Sequence, residues 1–167
     1  MNRWEERDDL TGEHTFTDAG QLILACLFFA IWIADTFWLN HTTFLNHYLP
    51  FFARIALGVV LLIISGFLAK RGMSIVFGET REIPAVIRKS VFGVIRHPIY
   101  LSEIVLYLGC LVMSVSLAAA VVWIMAILFL HYVSRHEEKL LLSRFGEEYA
   151  KYMQEVPMWI PRWRKKG

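Results

Sequence analysis

Residues 99–133 read IYLSEIVLYLGCLVMSVSLAAAVVWIMAILFLHYV, one largely apolar run of 35 residues that decides the fold. A helix of about 20 residues crosses the hydrocarbon core of a bilayer, so the run is too long for one crossing and slightly short for two. Ser114 and Ser116 lie near its middle. We therefore predict a tight helical hairpin with arms of about 15 and 17 residues. The alternative, one very long tilted helix, would place both serines at the bilayer centre.

Two further apolar runs, residues 20–39 and 51–69, precede the hairpin, and each has the length of one membrane crossing. The whole chain of 167 residues is 56% hydrophobic and only 19% charged, whereas about a quarter of the residues in a soluble domain are charged. The sequence therefore predicts an all-α integral membrane protein with about four transmembrane helices.

Basic residues are unevenly distributed among the connecting segments. Residues 40–50 and 114–116 contain no Lys or Arg, whereas 70–98 contain six and the segment after Val133 contains eight. The positive-inside rule then places both termini and the 70–98 loop in the cytoplasm. The compact size favours a prokaryotic cytoplasmic membrane.

These features divide the chain into three predicted regions: an acidic cytoplasmic N-terminus (1–19), two transmembrane helices (20–69) and a third region (70–167) that comprises the loop, the hairpin and the C-terminal segment. The net charge of +2 gives no support for nucleic-acid binding, and no Cys or His spacing indicates a metal site. Cys26 and Cys110 lie in apolar runs, so we expect them to be small core residues rather than a disulfide.

A second amphipathic pattern follows the hairpin. Within residues 143–156, Phe145, Tyr149, Tyr152 and Val156 recur at helical spacing, which predicts one amphipathic helix that ends at Pro157. The following Trp159, Trp163 and basic tail 162–167 suit the lipid headgroup region.

Residues 96–100 (RHPIY) stand where the basic loop enters the third span. Pro98 suits the first position of a helix, and it holds His97 in an extended conformation. The start of a helix presents free N–H groups and a positive dipole end, which favour a carboxylate or a phosphate. The structural alternative is a plain helix start with Arg96 on lipid phosphate and Tyr100 in the aromatic belt.

Glu137 and Glu138 lie at the other end of the hairpin. Carboxylates near a helix C-terminus oppose the dipole, so helix stability does not explain them, and they are able to accept hydrogen bonds from hydroxyls or an amine. The alternative is a solvated helix end paired with Lys139 or Arg135. Because the hairpin returns to the same membrane face, we expect the two glutamates to meet His97 and Tyr100, which favours a ligand with both a positive charge and a carboxylate.

Three other charged residues lie within the spans. Glu103 follows one turn inside the third span, where a carboxylate is favourable for the helix. Asp35 and Arg54 lie at a similar depth, roughly 6 Å from the far ends of the first two spans. Intramembrane charges usually have partners, so we predict that Asp35 and Arg54 form a structural ion pair.

Three motifs follow one another in order: RHPIY at 96–100, EEKLL at 137–141, and FGEEYAKYMQEVP at 145–157 with Ile160-Pro161. From about Val91 to Pro161, the chain resembles the isoprenylcysteine carboxyl methyltransferases and the related membrane phospholipid methyltransferases. Two positions depart from the pattern. Val133 stands about where the isoprenylcysteine enzymes carry an arginine near the substrate carboxylate, and Ser102 stands where relatives often have glycine.

The resemblance implies S-adenosylmethionine as the methyl donor and a lipophilic acceptor that enters from the bilayer. No catalytic residue is assigned, and Arg96, Glu103 and Arg135 are the candidates. The residues implied in cofactor binding are His97, Pro98, Ile99, Tyr100, Val105, Cys110, Leu111, Val112, Met113, Glu137 and Glu138.

Two other functions stay open at this point. Membrane sterol reductases share a similar C-terminal half, and the basic 70–98 loop would suit the 2′-phosphate of a nicotinamide cofactor. A four-span scaffold or small transporter is the non-enzymatic alternative. A transporter is expected to carry polar groups near the bilayer midplane, whereas these spans are apolar there.

Overall fold

The computed structural model describes residues 15–78 and 85–161, and every regular element in those ranges is helical. The helices are α1 (Thr15–Ile33, continued by a π-helical segment, Ala34–Leu39), α2 (Phe51–Val76), α3 (Pro98–Ser114), α4 (Leu117–Phe145) and α5 (Glu147–Glu155). Three apolar segments, Asp18–Leu39, α2 and α4, are long enough to cross a bilayer, and α3 is a shorter apolar helix. The predicted all-α membrane fold is confirmed.

The turn between α3 and α4 falls at the predicted place. Val115 has a φ of 45°, in the left-handed region that β-branched residues rarely adopt. Ser116 then caps α4, because its hydroxyl oxygen accepts a hydrogen bond from the N–H of Ala119 at 3.1 Å. The hairpin is therefore confirmed, and a single long helix is excluded.

Asp35 links this turn to the loop between α1 and α2. Its buried carboxylate accepts hydrogen bonds from the Thr42 N–H at 3.1 Å and from the Thr42 and Ser116 hydroxyls, both at 2.5 Å. The Thr42 hydroxyl oxygen also accepts from the N–H of Ala118 at 3.0 Å. These bonds join the end of α1, the loop and the hairpin turn at one end of the molecule, called here the far end.

The predicted ion pair between Asp35 and Arg54 is wrong. Arg54 instead donates through Nη1 to Asn46 Oδ1 and to the Met113 carbonyl oxygen, both at 2.5 Å. The two residues do share the far end. Position along a helix sets depth in the membrane but not direction around the axis, and the hydroxyls of Thr42 and Ser116 satisfy the Asp35 carboxylate instead.

Small side chains set the contact between α2 and α3. Gly58, Ser65 and Gly72 are buried at intervals of seven residues along α2. A Cβ on Gly58 would lie 2.9 Å from the Gly109 carbonyl oxygen, so only glycine permits the close approach there. Ser65 donates its hydroxyl hydrogen to the Ser102 carbonyl at 2.7 Å. Small residues let membrane helices pack backbone to backbone, and α2 thereby fixes the position of α3.

A buried aromatic pair joins α1 to the hairpin. The rings of Phe28 and Tyr107 stack at 4.4 Å, and Ala119 and Ala126 of α4 complete this core. Cys110 belongs to the core as predicted, but the prediction for Cys26 is wrong, because it is exposed on α1.

The boundaries of the predicted 70–98 loop need correction. α2 continues to Val76, so Lys70 and Arg71 belong to the helix and the connecting segment is 77–97. Its short 3₁₀ turn, Ser90–Gly93, precedes α3. Three predicted features lie outside the described residues: the acidic stretch up to residue 14, Arg81 and the basic tail 162–167.

The prediction of one helix over residues 143–156 is wrong in its bounds. α4 extends to Phe145, and Gly146 adopts a φ of 54° that separates it from α5. The predicted apolar face is nevertheless present, since Tyr149, Tyr152 and Val156 are buried together against Phe145. The face therefore packs against the protein itself.

Candidate active site

Backbone hydrogen bonds attach the start of α3 to the C-terminal segment. The N–H groups of Arg96 and His97 donate to the carbonyl oxygens of Pro157 and Met158 at 3.0 and 3.2 Å. Pro98 occupies the first helical turn, and His97, directly before it, is 7% exposed. The segment after α5 thus covers the residues where α3 begins.

Arg96 and Glu138 form a buried ion pair. Arg96 Nε and Nη2 both lie 2.7 Å from Glu138 Oε1, and the two side chains are 8% and 2% exposed. Arg96 Nη1 also donates to the carbonyl oxygens of Met153, at 2.9 Å, and Val156. The guanidinium therefore ties α4 to α5 and the segment that follows it.

The His97 imidazole lies between the two predicted glutamates. Its Nε2 is 3.4 Å from Glu138 Oε1, and its Nδ1 is 3.6 Å from Glu137 Oε2. The Tyr100 ring stacks on the imidazole with centroids 5.6 Å apart, and its hydroxyl donates to Glu137 Oε1. The structure thus brings together both ends of the hairpin, as the sequence predicts.

Burial lowers the pKa of His97 below its usual value of about 6.5. The Glu138 carboxylate acts in the opposite direction, and the Arg96 guanidinium adds to the lowering. The net direction of the pKa shift is downward. Both ring nitrogens face carboxylate oxygens, Nε2 toward Glu138 and Nδ1 toward Glu137.

The two adjacent glutamates differ in their surroundings. Glu138 is almost fully enclosed, whereas the Glu137 side chain is 18% exposed. Glu138 Oε2 has no hydrogen-bond partner within the described part of the chain, and Arg135 Nη1 lies 3.7 Å from it. Glu138 is therefore part of the protein interior, and Glu137 is the more accessible of the two glutamates.

Pro98 and Ile99 lie at the cluster but point toward α2. A Cβ on Gly72 would lie 2.7 Å from Ile99 Cγ1 and 3.6 Å from Pro98 Cγ. Their side chains therefore anchor the start of α3 on α2.

The inner residues predicted to contact a cofactor lie elsewhere. Cys110, Leu111, Val112 and Met113 belong to the last turns of α3, at least ten residues or about 15 Å along the helix from Tyr100. The structure does not bring these four residues to the cluster. Val105 is half-buried between the two ends.

Two of the candidate catalytic residues, Glu103 and Arg135, lie at the margin of the cluster. Glu103 accepts a hydrogen bond from the Tyr107 hydroxyl at 2.5 Å. The Arg135 side chain is 60% exposed, and its Nη1 lies 3.7 Å from Glu138 Oε2. Arg96, the third candidate, is occupied by the ion pair described above.

Sequence reasoning missed Arg88, which holds α5 on the connecting segment. Arg88 Nη1 lies 2.8 Å from Glu155 Oε2, Nη2 donates to the Glu148 carbonyl at 2.9 Å, and the guanidinium lies 5.3 Å from the centre of the Tyr152 ring. The Tyr152 hydroxyl donates to the Phe92 carbonyl at 2.6 Å. The only signal was one more arginine in a basic loop.

Sequence reasoning also missed the contribution of α1 to the cluster. Asp18 and Gln21 lie near the Tyr100 hydroxyl. Both are polar residues in the first turns of an apolar helix, which is the signal that identifies them.

Comparison with known families settles the class of protein. Residues 52–148, more than half of the chain, match the phospholipid methyltransferase family. The chain belongs to the phospholipid methyltransferase family. Membership implies a membrane methyltransferase, and the match includes the Arg96–Tyr100 and Glu137–Glu138 segments. No curated protein and no solved structure matches the chain.

The described ranges contain no group of three or more His, Cys, Asp or Glu side chains that would hold a metal ion.

Proposed function

We propose that the protein transfers a methyl group from S-adenosylmethionine to a lipophilic acceptor that lies in the bilayer, at the cluster formed by His97, Tyr100 and Glu137. The observation that carries the proposal is the convergence of an imidazole, an aromatic ring and a carboxylate at the start of α3. Family membership supports methyl transfer, and the chemistry of the cluster supports this methyl donor.

The start of α3 suits the carboxylate of the donor. Helix geometry leaves the N–H groups of Ile99 and Tyr100 without an acceptor inside the helix, and the His97 side chain does not cap them. Free N–H groups and the helix dipole together favour an anion there. Pro98 has no N–H group and fixes the backbone that presents these two donors.

Glu137 suits the opposite charge. Its carboxylate is able to accept hydrogen bonds from the amino group or the ribose hydroxyls of the donor. The Tyr100 hydroxyl and His97 Nδ1 hold it in position. The Tyr100 ring offers an aromatic face to a sulfonium cation.

S-adenosylmethionine supplies an activated methyl group on its sulfonium. The chain has to hold donor and acceptor in line, with the reacting atoms about 3–3.5 Å apart. The cover formed by Pro157 and Met158 limits the access of water, and a dry site favours a reaction in which charge disappears. A carboxylate acceptor needs no general base, whereas an amine, thiol or phenol would be able to use a neighbouring His or Glu.

The buried pair of Arg96 and Glu138 has a separate role in this proposal. It positions His97 and the covering segment, and it does not itself contact the donor. The cytoplasmic location of the cluster, with both termini on the same side, remains a prediction from the charge distribution, as does a prokaryotic cytoplasmic membrane.

The test is binding of S-adenosylmethionine to the detergent-purified protein by isothermal titration calorimetry. Glu137→Gln keeps the shape of the side chain and removes its charge, and we expect it to weaken binding at least about tenfold, since a hydrogen bond to a charged group contributes about 1.5–3 kcal/mol. Glu147→Gln, the same change on exposed α5, is the matched control and should bind like the wild type.

Two results would contradict the proposal. One is the absence of binding to the wild type both in detergent and in lipid nanodiscs, after which NADPH binding would be measured. The other is an equal loss of affinity in Glu137→Gln and Glu147→Gln.

A further inference from the structure

Glu103 has one carboxylate oxygen that is not used by the residues that the structure describes. Its Oε1 accepts a hydrogen bond from the Tyr107 hydroxyl at 2.5 Å. Its Oε2 accepts no hydrogen bond within residues 15–78 and 85–161, and it is not among the enclosed polar atoms of those ranges, so it stays accessible. No Lys, Arg or His in the same ranges forms an ion pair with this carboxylate.

The Glu103 side chain is held in place by its partner. Tyr107 is 1% exposed, and its ring stacks on that of Phe28 from α1 at 4.4 Å. Glu103 itself is half-buried on the face of α3 that Tyr107 turns toward α1. A carboxylate inside a membrane span is costly without a partner and marks a functional site by default. The open oxygen therefore points to a ligand from outside the chain.

The same face of α3 carries the Tyr100 ring of the proposed donor site. Residues three apart are neighbours on a helix surface, and Glu103 lies about 4.5 Å further along the axis than Tyr100. Asp18 of α1 lies near the Tyr100 hydroxyl, and Glu137 of α4 accepts a hydrogen bond from it. Carboxylates from three helices thus lie around this ring. Their negative charge disfavours a further carboxylate and favours a group that donates a hydrogen bond.

We propose that Glu103 determines which acceptor the protein methylates. Its Oε2 accepts a hydrogen bond from an acceptor whose reacting atom carries a hydrogen, as in an amine, a hydroxyl or a thiol, and its charge excludes a carboxylate acceptor. The inference rests on the methyl transfer proposed above, and it names the class of acceptor. Glu103 is then a specificity-determining residue, and Tyr107 positions its carboxylate.

The test measures binding of simple amphiphiles in phosphatidylcholine nanodiscs without the methyl donor. The probe is hexadecylamine with a photoactivatable diazirine next to its head group, and the competitors are hexadecylamine, hexadecanol and palmitic acid. We expect label within residues 98–107 or 18–28, located by mass spectrometry of fragmented peptides. The amine and the alcohol should compete at least about tenfold better than palmitic acid, because only they donate a hydrogen bond to a charged oxygen.

Matched variants assign this preference to Glu103. Glu103→Gln keeps the shape and removes the charge, so palmitic acid and the amine should compete almost equally. Asp35→Asn removes the other described carboxylate of the spans, whose partners are Thr42 and Ser116, and should keep the wild-type preference. Comparing each variant with the wild type in the same nanodiscs cancels differences in how the competitors enter the bilayer. Tyr107→Phe keeps the charge without its support and should give an intermediate preference.

Three outcomes would overturn the proposal. They are equal competition by palmitic acid and hexadecylamine in the wild type, label that is absent from both segments, and an unchanged preference in Glu103→Gln. The first two need only the wild type, so they decide the matter even if the variant fails to fold.

Calorimetric titration with S-adenosylmethionine separates this inference from the proposed function. Glu103→Gln should bind the donor like the wild type, because Glu103 contacts the acceptor. A loss of donor affinity as large as that of Glu137→Gln would overturn the specificity role. Failure of the wild type to bind the donor would instead contradict the proposed function, and the competition between head groups would still show whether Glu103 selects hydrogen-bond donors.

Discussion

Buried carboxylates have different kinds of partners at the two ends of the hairpin. At the far end, the carboxylate of Asp35 is satisfied by a backbone N–H and two hydroxyls, all of them neutral. At the start of α3, Glu138 faces Arg96 and His97, and one of its oxygens has no hydrogen-bond partner in the described ranges. The far end is a closed network that fixes a turn, whereas the His97 end combines opposite charges with unused hydrogen-bonding capacity.

This difference teaches where to look for function in a small membrane protein. A charged residue inside or beside a span is a candidate site by default. Asp35 shows that neutral hydrogen-bond donors alone are able to satisfy such a charge. The cluster around Glu137 and His97 is distinguished by a second property, which is that groups from α1, α3, α4 and the C-terminal segment meet there.

The largest expected effect comes from Glu138→Gln. This change leaves the Arg96 guanidinium buried without its carboxylate, and losing one partner of a buried pair typically costs about 3–5 kcal/mol of folding stability. Thermal unfolding in detergent measures the loss. Glu137→Gln, the adjacent and more exposed position, should lose much less stability while losing affinity for S-adenosylmethionine.

The double variant Arg96→Met/Glu138→Leu serves as the control for that pair. It removes both charges, so its loss of stability should be smaller than the sum of the losses in the single variants Arg96→Met and Glu138→Leu. Additive losses would show that the pair contributes nothing as a unit, and the assignment of Arg96 and Glu138 as a brace would then be wrong.

An intermediate effect is expected from Asp35→Asn. The substitution keeps the shape but replaces charge-assisted hydrogen bonds with neutral ones, at a cost of about 1–3 kcal/mol. Because Asp35 lies at the far end, the folded variant should bind S-adenosylmethionine with wild-type affinity. A loss of affinity that exceeds the loss of folded protein would show that the two ends are coupled. It would contradict the distinction between a structural network at the far end and a ligand-binding cluster at His97.

The smallest effect concerns pH and His97. Its pKa in the folded protein is lowered by burial, whereas in the unfolded chain it is about 6.5. As the pH falls below about 6.5, only the unfolded chain takes up the proton, so stability decreases by at most about 1.4 kcal/mol per pH unit until the pKa of the folded state is reached.

The difference in unfolding temperature between wild type and His97→Gln, followed from pH 7.5 to 5, isolates this contribution from the other histidines. The wild type should lose more stability than the variant over that range. Parallel curves would mean that the pKa of His97 is the same in the folded and the unfolded protein, which would contradict this prediction.

Some of this structure is readable from the sequence, for physical reasons. Spans and the hairpin follow from the length of apolar runs, and Ser114 and Ser116 mark the turn because a polar pair in an apolar run needs the interface. The contact between His97 and Glu137 was predictable because the two arms of the hairpin return the chain to the same membrane face. The family motifs and the chemistry expected at the start of a helix identify the same residues in that cluster.

Other features depend on direction around a helix axis, which apolar runs do not encode. The predicted pairing of Asp35 with Arg54 was wrong for this reason. The observed partner, Thr42, lies in a loop, and a loop sequence has no period from which the contact could be predicted. The predicted cofactor contacts of Cys110 to Met113 stay a prediction, because the resemblance carries residue identity but not distance from His97. Gly146 was a stronger signal than we used, since glycine commonly ends a helix.

The seven-residue repeat of Gly58, Ser65 and Gly72 has a consequence for the surrounding bilayer. It locks the 26-residue α2 to the 17-residue α3, so neither helix tilts independently to match the membrane. About 20 residues are needed to span the hydrocarbon, and the shorter helix therefore demands a thinner membrane beside it. We expect the headgroups next to α3 to lie closer to the midplane than those next to α2, which would shorten the path between the lipid phase and the residues at the start of α3.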